Sequence, residues 1–173
     1  MRNYKEKLHK ISTFIFDYDG VLSDGKVLLS DGGEQLRSVH AKDGYILQYA
    51  KKKNYKIGVI SGGYSSSMKL RLEKLNLDYI HLQVPDKKDC FDKLIKEHNI
   101  DKEEVLYMGD DLPDFLVMQE VGLACCPIDA VPEIKEISHY ISDRKGGDAC
   151  VRDVVEQVMK VQGTWMNSDC YHW

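Results

Sequence analysis

The chain has 173 residues, 43% hydrophobic and 30% charged, a balance that fits one globular domain over 1–173 and excludes a disordered protein. Its formal net charge of −4 argues against a general nucleic-acid binder, which needs a basic face for phosphates. No apolar run approaches the ~20 residues of a membrane span, and the 5 scattered cysteines, without a CxxC pair, fit reduced thiols in a cytoplasm better than disulfides or a zinc site.

In chain order, the basic N-terminus MRNYKEKLHK leads into an apolar stretch that is short and runs into Asp17, so no signal peptide is expected. ISTFIF (11–16) predicts a first strand, and FDYDGVLSDG (16–25) follows it with three aspartates in eight positions. KVLLSDGGEQLRSVH (26–40) reads as two short strands joined by SDGG, a hairpin that projects as a flap. Beyond it come a helix over 43–53, the strand KIGVI (56–60), the SGGYSSS turn and a helix over 64–75. DYIHLQV (78–84) and EVLYMG (104–109) predict strands on either side of a helix over 87–98. Asp110 and Asp111 are good caps for a helix over 112–120, with Pro113 tolerated in its first turn. VGLACC (121–126), HYIS (139–142) and a helix over 148–162 complete the series, before an aromatic tail, TWMNSDCYHW (164–173). Alternation of this kind predicts an α/β, Rossmann-like three-layer sandwich with a mostly parallel sheet.

In such sheets ligands bind beyond the carboxyl ends of the strands. Four polar clusters fall there: Asp17 and Asp19; Ser61, Gly62 and Gly63; Asp86 and Lys87; and Gly109, Asp110 and Asp111, with Asp114 beyond. Each alone has a plainer reading as a turn or helix cap. A calcium loop is excluded, because Gly20 stands fourth and Leu28 twelfth where that loop needs glycine sixth and glutamate twelfth. Jointly the clusters supply what phosphoryl transfer needs. A Mg²⁺ ion held by Asp17, Asp110 and the Asp19 backbone carbonyl would offset charge repulsion between a carboxylate and a phosphate dianion. The Ser61 hydroxyl and Gly62 N–H can hold phosphate oxygens at a helix N-terminus, and Lys87 adds a fixed positive charge.

At DYDGV (17–21), VISG (59–62), DK (86–87) and GDDLPD (109–114) the sequence resembles the haloacid dehalogenase superfamily of phosphotransferases. The resemblance implies an aspartyl-phosphate mechanism. Asp17 would be the nucleophile, Asp19 the acid and then base, and Asp110 the completion of the metal site. Asp111 and Asp114 would orient metal waters or Lys87. Only 41 residues separate Asp19 from Ser61 and 25 separate Ser61 from Lys87, which leaves no room for a cap domain.

DGVLSDG (19–25), GEQLRSVHAKDGY (33–45) and GGDACVRDVVEQV (146–158) are similar to the capless 3-deoxy-D-manno-octulosonate 8-phosphate phosphatase family, which serves lipopolysaccharide precursor synthesis. This finer resemblance implies a homotetramer whose 26–40 hairpins form a central β-barrel, with one subunit's tail helping to close another's site. It also implies that His40, Ala41, Lys42, Asp43 and Gly44 line the sugar-acid pocket with Asp19 and Lys87, and that Arg71 adds a cation for the anionic substrate. Three departures stand out: Gly63 where the family commonly has arginine, Leu82 and Gln83 in place of Gln-Gly, and Lys42 in place of arginine. The sister 2-keto-3-deoxy-nononate 9-phosphate phosphatases tend to carry glutamate at position 63, so a nine-carbon substrate is the alternative. Readings of another class are a receiver-like phospho-acceptor, disfavoured because the acidic pair follows Lys87, and a non-catalytic oligomerisation module, disfavoured because every catalytic position is filled.

Overall fold

A computed structural model describes residues 4–171, and the last two residues of the predicted tail, His172 and Trp173, lie outside the described residues. The central sheet has six parallel strands: β1 (Thr13–Phe16), β4 (Lys56–Ile60), β5 (Tyr79–His81), β6 (Val105–Met108), β7 (Leu123–Cys126) and β8 (Tyr140–Ile141). Their spatial order is β5-β4-β1-β6-β7-β8. The chain therefore builds outward from β1 first to one side and then to the other, which makes β1 the place where the winding reverses and a crevice opens.

Alternation along the strands splits the core into two layers. Phe14 and Phe16 of β1 face one side with Ile57 and Val59, and Ile15 faces the other with Ile60 and Tyr107. The first face is covered by α1 (Tyr4–Leu8), α2 (Ala41–Lys52), α3 (Ser66–Lys74) and α7 (Cys150–Val161). The second is covered by α4 (Lys87–Glu97), α5 (Phe115–Met118) and α6 (Pro132–Ile137). Each fully buried Phe or Ile of β1 contributes about 1.5–3 kcal/mol relative to exposure. This is the expected three-layer sandwich with a parallel sheet.

Several elements differ in extent from the expectation. β5 stops at His81 rather than 84, because Gln83 adopts a left-handed φ of 57° that ends the extended path. The helix expected over 112–120 is a single 3₁₀ turn, Leu112–Asp114, followed by the short α5. The flap hairpin is real but slight: β2 (Leu28–Leu29) pairs antiparallel with β3 (Gln35–Leu36). Helices α1 and α6 are additions. The tail folds onto its own chain, where the Tyr49 hydroxyl donates to the Thr164 carbonyl, Trp165 packs edge-on against Tyr49, and Lys53 pairs with Asp169 at 2.7 Å.

Candidate active site

Register places the site. Phe16 of β1 stands level with Val59 of β4 and Met108 of β6, so the residues that follow emerge side by side at the carboxyl edge. The Asp17 N–H continues the ladder by donating to the Met108 carbonyl at 3.0 Å, and the Ser61 N–H donates to the His81 carbonyl at 2.9 Å. The chain then turns sharply through Tyr18–Leu22. Gly20 makes this possible, with φ at +90° and no space for a side chain: a Cβ there would stand 2.0 Å from Asp110 Oδ2.

Asp17, Asp19, Ser61, Gly62, Lys87, Asp110, Asp111 and Asp114 line one cavity of about 400 Å³, together with Gly63. All four predicted clusters thus meet. One detail differs: α3 begins only at Ser66, so Ser61–Gly63 form a free-standing turn rather than the first turn of a helix. Lys87, by contrast, does open α4, behind its cap Asp86.

Asp114 is fully buried and its lone pairs are committed. Oδ1 accepts from Lys87 Nζ at 2.7 Å and Tyr107 Oη at 2.6 Å, and Oδ2 accepts from the backbone N–H groups of Asp110 at 3.2 Å and Asp111 at 3.5 Å. Lys87 Nζ also stands 2.9 Å from Asp17 Oδ1, an ion pair without hydrogen-bond alignment. Burial opposes the charge on Lys87, but Asp17 and Asp114 outweigh it and hold its pKa above the ordinary lysine value. Asp111 turns outward and caps the next turn through Leu112 N–H at 2.8 Å.

Asp17, Asp110 and Asp114 each bring a carboxylate oxygen within 4.8 Å of the others. Asp17 Oδ1 and Asp110 Oδ1 are buried without a hydrogen-bond partner. Burial drives the Asp17 pKa well up, with Asp114 adding to it and Lys87 only partly offsetting it. Burial and then Asp114 likewise push Asp110 up to about 7. Two hard, desolvated oxygens, one without a donor and the other facing only the Lys87 ammonium, are what a divalent cation satisfies. Because Asp114 is saturated, the donor set that fits is Asp17 with Asp110, not all three.

The residues expected to bind a sugar acid lie elsewhere in the single chain. His40 caps α2, accepting from Lys42 N–H at 3.1 Å. Asp43 turns inward, where its Oδ1 accepts the Arg152 N–H at 2.7 Å. Gly44 lies beneath Arg71, whose Nη2 stands 2.2 Å from where a Cβ on Gly44 would be. Lys42 faces a separate charged groove with Arg152 and Asp148, and Ala41 begins α2. Within one chain, none of these five consecutive residues lines the cavity that holds Asp17.

Sequence reasoning missed three contributors. Tyr107 reaches Asp114 from inside the apolar run of β6, where a lone tyrosine was the available signal. Ser23 donates to Asp19 Oδ1 at 3.1 Å, and Arg37, from the end of the flap, pairs with the same oxygen through Nε at 2.6 Å. A single cation after the second flap strand was visible, but nothing local says that it turns inward.

Residues 34–128 match the family described as haloacid dehalogenase-like hydrolase. Over 157 residues the chain is 32% identical to 3-deoxy-D-manno-octulosonate 8-phosphate phosphatase of Salmonella typhi, covering 91% of this chain and 84% of that protein. A crystal structure of the phosphatase of that name from Moraxella catarrhalis, in complex with magnesium, phosphate and KDO, superposes with a TM-score of 0.91 at 29% identity, covering 95% of both chains. The cobalt-bound Haemophilus influenzae phosphatase gives a TM-score of 0.88 at 27% identity, over 95% of this chain and 98% of that one.

Proposed function

This chain belongs to the haloacid dehalogenase-like hydrolases, and we propose that it is a Mg²⁺-dependent phosphatase that releases 3-deoxy-D-manno-octulosonate from its 8-phosphate in lipopolysaccharide precursor synthesis. The observation that carries the reading is the convergence of Asp17, Ser61, Lys87 and Asp110 on one cavity, in a chain similar along nine-tenths of its length to phosphatases of that name.

Asp17 and Asp110 would hold the ion through their carboxylate oxygens, with the Asp19 backbone carbonyl. When bound, it offsets the negative charge of the phosphate and of the two carboxylates. Ser61 Oγ and the Gly62 N–H would hold phosphate oxygens, and Lys87, locked by Asp114, would keep its charge where the transferring group becomes most negative. The Asp17 carboxylate attacks phosphorus, the bond to the ester oxygen breaks, and Asp19 gives that oxygen a proton. Asp19 then takes a proton from water, which attacks the aspartyl phosphate and frees Asp17 and inorganic phosphate.

The same reading assigns the chain to one domain over 1–173, acting in a cytoplasm as a homotetramer, without nucleic-acid or membrane partners. Its 5 cysteines are all free. Among the described residues no helix is long and apolar enough to cross a membrane. In the tetramer the 40–44 stretch would form a sugar-acid lip with Arg71. His40 and Lys42 present the side chains there, and Asp43 and Gly44 hold the frame.

Steady-state kinetics on a panel of sugar phosphates tests the reading. The eight-carbon sugar-acid ester should exceed the nine-carbon one by at least tenfold in kcat/KM, about 1.4 kcal/mol in transition-state binding. Chelation of Mg²⁺ and Asp17→Asn should each abolish phosphate release with the circular dichroism spectrum unchanged. Turnover that survives either change overturns the mechanism, and a preference for the nine-carbon ester overturns the substrate.

A further inference from the structure

The flap hairpin stands clear of the sheet, and the side chains of Leu28, Leu29, Gln35 and Leu36 are exposed. Arg37, the next residue, does the opposite: its side chain is only 4% exposed. It inserts between the Asp19 turn and the Ser61–Gly63 turn. Its Nε meets Asp19 Oδ1 at 2.6 Å, its Nη1 donates to the Gln35 carbonyl at 3.3 Å, and its Nη2 lies 3.1 Å from where a Cβ on Gly63 would stand.

These contacts treat the two oxygens of Asp19 differently. Oδ1 is held twice, by Arg37 Nε and by Ser23 Oγ at 3.1 Å. Oδ2 points toward Gly63, 2.8 Å from the position a Cβ would take, on the wall of the catalytic cavity. Gly63 thus leaves room for both Oδ2 and the guanidinium. A charge-assisted contact this short restricts the carboxylate to one rotation, which a lone serine hydroxyl does less well. The cation is also delivered by the flap, so seating the flap and aligning Asp19 become one event.

We infer that Arg37 is a positioning residue for the phosphatase reaction: by pinning Oδ1 of Asp19 it presents Oδ2 to the reacting oxygen. This rests on the reading of Asp19 as the group that protonates the leaving oxygen. Loss of the pin leaves the Asp19 carboxyl in the chain but misaligned, an effect on the order of 10- to 100-fold for a group displaced by about 1 Å.

The test compares two monoesters on the full-length protein with Mg²⁺: the alkyl sugar-acid phosphate and p-nitrophenyl phosphate, whose leaving group departs without a proton. Only steps up to the first phosphoryl transfer enter kcat/KM, so the comparison isolates leaving-group protonation. Asp19→Asn should lose far more on the alkyl ester than on the aryl ester. Arg37→Ala should show the same asymmetry, roughly 10- to 100-fold on the alkyl ester with little change on the aryl ester, and Arg37→Lys should recover part of it. Equal losses on both esters, or none, for Arg37→Ala while Asp19→Asn keeps its asymmetry would overturn the role of Arg37 alone. No asymmetry in Asp19→Asn would overturn the role of Asp19, and that of Arg37 with it.

Discussion

Asp114 shows how one side chain can be indispensable without touching a substrate. Its carboxylate accepts from Lys87, Tyr107 and the backbone N–H of Asp110, and each of these donors loses its buried partner if the carboxylate goes. Breaking a buried pair from one side costs more than the pair is worth, because the remaining charge stays buried. Asp114→Ala should therefore lower unfolding free energy by about 3–5 kcal/mol, and Asp114→Asn, which keeps an acceptor, by less. Urea denaturation of the two variants checks this, and an alanine variant as stable as the parent would remove Asp114 from that role. The spacing GDDLPD made three carboxylates visible in the sequence, with Asp114 left between metal waters and Lys87. Choosing between those needs the lone-pair count, which depends on a tyrosine in β6 and on two backbone amides. Arg37 was hidden for the same reason: its importance lies in the direction it turns, not in its neighbours along the chain.

Between elements, the join of α2 and α7 turns on Asp43. Its Oδ1 takes the Arg152 N–H at the start of α7, and its Oδ2 is buried without a partner. Burial is the main cause that raises its pKa from 3.8 to about 6, against the opposing pull of the Arg152 N–H and His40. A carboxyl whose folded pKa lies above its unfolded one keeps its proton longer in the folded state. Stability is then highest below the unfolded pKa, falls as pH rises between the two values, and is level above about 6. Asp43→Asn should thus be more stable than the parent at pH 7.5, by about 1–3 kcal/mol, with the difference vanishing toward pH 4. Parallel unfolding curves from pH 4 to 8 would expose a constant difference, which the burial argument does not allow. Elements of this length were legible when periodic: α2, α3, α4 and α7 lie within a few residues of their predicted spans. The five- and six-residue helices α1 and α6 were not, since neither completes two turns of a repeating apolar face. Nor did the aromatic tail announce its place, because its partners Tyr49 and Lys53 are more than a hundred residues upstream.

For the molecule as a whole, the parallel sheet was readable because strands buried on both faces are continuous apolar runs, and helices between them force crossover connections. The convergence of four strand ends followed from that topology rather than from any one motif. Assembly is harder to read, since an isolated chain shows only which surfaces lack cover. Leu28 and Leu29 of the flap are 67% and 69% exposed, and Val27, Leu36 and Val39 extend the patch along the same hairpin. A two-stranded ribbon with so little pairing is marginal alone in water, and adjacent apolar residues on an open edge invite a further strand. Both deficits are met at once if four hairpins close on one another, because the ribbon gains pairing and the leucines are covered. Light scattering on the parent protein should then give about four times the chain mass, and Leu28→Asp with Leu29→Asp should reduce it to the single chain. The 40–44 stretch, proposed above as a sugar-acid lip, lies directly beyond the hairpin, so if it plays that part the dissociated variant should lose kcat/KM on the sugar-acid ester while p-nitrophenyl phosphate, which asks nothing of such a lip, is hydrolysed nearly as before. A parent protein of single-chain mass, or a variant that dissociates and keeps its full preference for the sugar acid, would break the link between assembly and specificity.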